Sequence, residues 1–144
     1  MQNQFAATEI LSMSEIYGEP IHTYSRQQAL DDGVLVDVTD VAKATGFRFP
    51  VAMTSAAWAD AVEWTSKDSE RQTYQDESGR LKDALWMGYC AARRNYGKSA
   101  VDFQFYRVPR GGRGHMARLA TLRIVCSMGD EGEPVMTIMM PYED

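Results

Sequence analysis

A chain of 144 residues with 44% hydrophobic content, three Trp, seven Tyr and five Phe has the length and composition of one globular domain of roughly 100–150 residues, which excludes wholesale disorder. No stretch approaches the roughly 20 apolar residues needed to span a bilayer, and Met1-Gln2-Asn3-Gln4 lacks the basic n-region of a signal peptide, so a single cytoplasmic domain over 1–144 is expected, with no membrane partner. The formal charge of −5 conceals an uneven distribution: residues 93–123 hold eight bases against the single acid Asp102, a local +7, while the remainder holds seven bases against nineteen acids, or −12.

In chain order, residues 1–18 read as a weakly packed amphipathic helix that Thr8 can cap, with Ile10, Leu11 and Tyr17 on its apolar face and Gly18 and Pro20 ending it. Ser25-Arg26-Gln27-Gln28 fits a capping box, predicting a short helix to Asp32, a left-handed stop at Gly33 and a β-branched strand over 34–38. Another short helix over 40–45 ends at Gly46, and residues 47–53 are extended. Pro50, which has no amide to donate, makes that segment an edge strand or a non-sheet stretch. Thr54 and Ser55 are alternative caps for a helix through Trp64, carrying Ala57, Trp58, Ala61 and Val62 at helical spacing.

Residues 65–78 contain almost nothing apolar except Tyr74 and read as an exposed, mobile connection inside the domain. Leu81, Ala84, Leu85, Gly88 and Ala92 then form a stripe that predicts the longest helix, over 79–95, with Arg93 and Arg94 at its negative C-terminal end. The last third changes period. Runs over 101–108, 117–126 and 135–140 are separated by Gly111-Gly112-Arg113-Gly114 and by Gly129-Asp130-Glu131-Gly132-Glu133, which predicts an antiparallel meander. The expected fold is α+β: short helices and extended segments followed by one long helix packed on a C-terminal three-stranded antiparallel meander.

Arg107, Arg110, Arg113, His115 and Arg118 converge on one predicted hairpin tip, beside the aromatics Phe103, Phe105 and Tyr106. Arginine forks bind phosphates or carboxylates, and exposed aromatics stack unpaired bases, so the segment from Arg93 to Arg123 is a candidate grip on nucleic acid or on an acidic protein surface. The competing reading has the arginines in water or paired with the acidic remainder of the same molecule. It is favoured because the chain as a whole lacks the basic footprint of a dedicated nucleic-acid binder. Asp31, Asp32, Asp37 and Asp40 form a candidate acidic face able to imitate a row of phosphates; ordinary capping and solubility also explain them.

Cys90 and Cys126 lack the close spacing of a zinc or redox motif and read as reduced, buried small hydrophobes; no metal and no cofactor are expected. No nucleophile elbow is present, and the glycine-rich Gly111–Gly114 lies between predicted strands rather than at a helix N-terminus, where phosphate loops work.

The blocks Tyr24–Val38, Ala44–Phe47 continuing to Trp58, Gln75–Leu81 and Gly132–Ile138 resemble a small uncharacterised family of bacterial proteins carried on plasmids, phages and other mobile elements. That resemblance implies a setting in which many small acidic proteins antagonise host defence. A looser similarity links Ile21-His22-Thr23-Tyr24-Ser25, Ala29-Leu30 and Gly33 to the opening strand and helix of ADP-ribosyltransferases, which implies His22 and Glu133 as catalytic residues. The expected function is a non-enzymatic accessory protein of a mobile element that binds and blocks a host protein or nucleoprotein complex, of the anti-CRISPR or anti-restriction type. The alternatives are the ADP-ribosyltransferase-like enzyme and a direct nucleic-acid-binding module.

Overall fold

Local rules place most of the elements. The computed structural model describes residues 24–143, so the expected helix over 1–18 and His22 lie outside the described residues. Helix α1 (Arg26–Asp31) starts at a capping box: the Ser25 hydroxyl accepts the Gln28 amide at 3.0 Å and the Gln28 side-chain Oε1 accepts the Ser25 amide at 2.9 Å. Its remaining free amides, Arg26 N and Gln27 N, donate to the carboxylate of Asp130 at 2.8 and 3.0 Å. Those two bonds hold Asp130 below the usual carboxylate range. The Arg26 guanidinium reaches the sheet and donates to Thr137 Oγ1 and the Met136 carbonyl, both at 2.8 Å.

Strand β1 (Leu35–Asp37) leads into helix α2 (Thr39–Thr45), where Asp37 accepts the Thr39 amide and hydroxyl. Gly46 closes α2 at φ 133°, with the Tyr89 ring against its Cα, so both the conformation and the space demand glycine. Strand β2 (Val51–Thr54) runs directly into helix α3 (Ser55–Ala61), capped by the Thr54 hydroxyl. Helix α4 (Ser66–Arg71) and helix α5 (Glu77–Arg94) follow, then strands β3 (Ala100–Arg107), β4 (Arg118–Met128) and β5 (Pro134–Met139).

The expected long helix on a three-stranded C-terminal meander is wrong. The strands form one five-stranded mixed sheet in the order β1-β2-β5-β4-β3, in which β2 and β5 are parallel and the other neighbours antiparallel. The first half of the chain therefore supplies two strands to the same sheet, with Val51, Ala52 and Met53 in register with Met136, Thr137 and Ile138. Pro50 does not make this segment an edge. It stands just before β2, where its missing amide is not needed, and its carbonyl accepts the Met136 amide at 2.9 Å.

Residues 65–78, expected as an exposed, mobile connection, are mostly exposed or half-buried but not irregular throughout. They contain α4, started by a capping box between Thr65 and Asp68, and Asp68 is only 1% exposed.

The core lies between one face of the sheet and the helices. Met53, Ile138, Ile124, Leu122, Phe103 and Phe105 meet Leu81, Ala84 and Leu85 of α5, joined by Ala42 of α2 and by Ala57 and Ala61 of α3. Each fully buried Leu or Ile here contributes roughly 1.5–3 kcal/mol. Gly88 lets α5 settle onto the sheet, since a Cβ there would stand 3.1 Å from the Phe103 ring. Both cysteines are free and half-buried, more open than expected.

Candidate functional site

The β3–β4 connection is fastened to α3 and α4 by an ionic and polar anchor. Arg107, at the end of β3, donates to the Asp60 carboxylate at 3.0 Å and to its carbonyl at 3.1 Å. Arg110 bridges two acids, reaching Glu63 at 2.9 Å and Asp68 at 2.8 Å. Asp68 also accepts the Thr65 amide at 2.7 Å, the Thr65 hydroxyl at 2.9 Å and Arg71 at 2.9 Å. The Thr65 amide first, and Arg110 after it, hold this carboxyl down at about 2, against the opposing effect of desolvation. The same contact raises the Arg110 pKa.

Gln72 completes the attachment. Its amide nitrogen donates to the Pro109 and Gly114 carbonyls, and its oxygen accepts the Gly111 amide at 2.8 Å, so one side chain spans the neck of the loop. Beneath lies Arg80, 5% exposed. Its guanidinium stacks 4.6 Å from the Trp64 ring centroid and donates to the Val62 and Val108 carbonyls at 3.1 and 2.9 Å, and to the Gln75 side chain. Burial, and next the charge of Arg107, lower its pKa. Among the described residues, Arg80 Nη2 has no hydrogen-bond partner.

This anchor divides the five residues expected to form a basic tip. Arg107 and Arg110 face acids of the same molecule, as the competing reading required, and their charges are cancelled. Arg113, His115 and Arg118 are exposed on or beside the loop, and among the described residues none of them has a hydrogen-bond or ion-pair partner. Gly111 and Gly112, at φ 110° and 71°, make the turn that presents them. Met116 and Leu119, 67% and 51% exposed, add apolar surface between the charges. Phe103 and Phe105 are buried and unavailable to stack on a base, whereas Tyr106 is exposed.

The four acidic candidates are not gathered with these. Asp31 and Asp32 end α1, Asp37 ends β1 and Asp40 opens α2, all beside the sheet edge opposite β3. Asp31 accepts from Gln27, Asp32 from the Tyr24 hydroxyl and Asp37 from Thr39. The bond to Asp32 raises the Tyr24 pKa. Glu133 lies in the β4–β5 turn, where its carboxylate accepts the Glu131 amide at 2.9 Å and its carbonyl the Gly129 amide at 2.6 Å. Among the described residues no group of three or more His, Cys, Asp or Glu is placed to hold a metal ion, and no helix is long and apolar enough to cross a membrane.

Sequence reasoning missed Gln72 and Arg80, and it counted Asp68 with the acids of a solvent-facing surface rather than as a buried anchor. Thr65-x-x-Asp68 does carry the pattern of a capping box. Arg80 next to Leu81 on the apolar side of α5 was the other available signal.

Residues 1–144 match the family of unknown function DUF6573, and the chain belongs to that family. No curated protein and no solved structure matches it.

Proposed function

We propose that the protein is a non-enzymatic binding protein that docks on an acidic macromolecular surface through Arg113, His115 and Arg118. The observation that carries this reading is the division of the basic cluster. Arg107, Arg110 and Gln72 hold the loop in place, and three basic side chains project from it or beside it without partners among the described residues. A loop ordered before binding has less conformational freedom to lose on association, which favours recognition of a surface. In the finer form of the proposal the partner is a host protein or nucleoprotein complex, blocked by occupation in the setting of a bacterial mobile element. The resemblance of the sequence blocks to such proteins motivates that setting.

The test is a pull-down from bacterial lysate with the wild type and with the double variant Arg113→Glu/Arg118→Glu, with and without nuclease. Arg110 stays unchanged, because reversing it would strand the buried Asp68 carboxylate. A stoichiometric protein that survives nuclease and disappears with the variant is the expected result. Equal recovery by the variant removes the loop from the interface, and loss of all recovery on nuclease treatment shifts the reading to direct nucleic-acid binding, whose affinity falls steeply with salt.

A further inference from the structure

The two edges of the sheet differ. β1 has three residues, and the flanking bonds, from Val38 N to the Val51 carbonyl and from Ser55 N to that of Val34, extend its pairing with β2, so its outer side offers only a short edge. β3 has eight residues and, among the described residues, pairs on one side only, with β4. Cys126 N donates to the Ser99 carbonyl at 2.8 Å, which makes that pair a bonded one. The alternation of an antiparallel ladder then directs the backbone groups of Val101, Phe103 and Phe105 toward β4 and those of Asp102, Gln104 and Tyr106 outward. No proline, lysine or bulge blunts this edge, so it is a template for another strand.

Helix α5 runs alongside it. Two adjoining clefts of about 300 and 560 Å³, which share Met87 and Gln104, follow the junction of helix and strand from Asp83 beside Tyr106 to Arg94 and Asn95 beside Asp102. Asp83, Met87, Cys90 and Arg94 recur at spacings of 4, 3 and 4 and so lie on one stripe of the helix, with Trp86 53% exposed next to them. The stripe is acidic at one end, basic at the other and apolar between. Neither Asp83 nor Arg94 has an ion-pair partner among the described residues.

That order is self-complementary. A two-fold axis through the middle of β3 reverses the second copy, so Asp83 of each chain lies opposite Arg94 of the other. The strand follows the same symmetry: pairing centred on Phe103 sets Asp102 against Gln104 and Tyr106 against the small Ala100. An unrelated strand would have no reason to find an acid and a base disposed symmetrically about the centre. We propose that the protein forms a two-fold dimer by antiparallel β3–β3 pairing, which continues the sheet across the axis and packs the two α5 helices side by side, an isologous interface.

Sedimentation velocity over a concentration series tests this, with circular dichroism to verify folding. Proline at 104 deletes only an outward-pointing amide, so Gln104→Pro is expected to remain folded and become monomeric. Asp83→Arg and Arg94→Asp are each expected to weaken dimerisation by about tenfold or more through like-charge contacts, and the double variant to recover it. A wild type monomeric up to about 100 μM, a range within which even weak specific pairs associate, overturns the proposal. So does a double variant no tighter than the single ones.

Discussion

Replacing Asp68 by Ala removes the group on which the loop anchor converges. The carboxylate is 1% exposed and accepts from the Thr65 amide and hydroxyl, Arg71 and Arg110. Loss of a cap alone costs about 1 kcal/mol, and removing one partner of a buried ion pair costs about 3–5 kcal/mol because the other charge is left without compensation. The two effects overlap in one carboxylate, and the Arg110 side chain is 33% exposed, so water takes up part of its charge. The expected loss is therefore near the lower bound, about 3 kcal/mol. For a chain of this length that corresponds to a melting temperature lower by roughly 6–12 °C. Urea unfolding followed by circular dichroism measures it. Asp102→Ala is the control: its pair with Arg123 is largely exposed, with side-chain accessibilities of 47% and 34%, and exposed pairs are worth about 0–1 kcal/mol. If Asp68→Ala costs no more than Asp102→Ala, the carboxylate does not organise this region and the assignment of Arg110 as a structural residue fails.

The same carboxyl sets a pH dependence. Its folded pKa of about 2 lies below the ordinary 3.8, so its contribution is fully present above the unfolded value and is lost as pH falls through the folded one. The stability difference between wild type and Asp68→Ala is thus constant from neutral pH to about 5 and closes between about pH 4 and 2; a difference unchanged at pH 2.5 would contradict this. Gly46→Ala is expected to cost about 1–3 kcal/mol, from a strained φ and from contact with the Tyr89 ring. In denaturant melts Gly33→Ala, whose φ of 78° is also positive but whose surroundings are open, should lose less.

What could be read from the sequence was local chemistry. Ser25 and Gln28, Gly33 and Gly46 act within a few residues of themselves, and the inward stripe of Leu81, Ala84, Leu85 and Gly88 is a periodicity of the chain itself. The parallel pairing of β2 with β5 left no such mark. It joins Val51 to Met136 through backbone groups that every sequence possesses, and a strand as short as Val51–Thr54 displays too few residues to announce its neighbours. The candidate site divides along the same line. An excess of arginine could be counted, but which arginines face water depends on where α3 and α4 bring Asp60, Glu63 and Asp68. A polar stretch such as 65–78 looks like a loop when its buried member is an aspartate that sits in a cage of donors.

The strand order has a consequence for synthesis. β5, the last made of these five strands, occupies the middle of the sheet, between β2 and β4. Until residues 134–139 are available, β1–β2 and β3–β4 are two separate ribbons, each with a side that β5 has yet to cover. Long-range pairing of this kind is slow, because a large loop must close before any contact rewards it. A chain interrupted after Glu133 consequently presents two unpaired strand flanks and the apolar core face above them, so the growing polypeptide is most prone to aggregate just before β5 emerges.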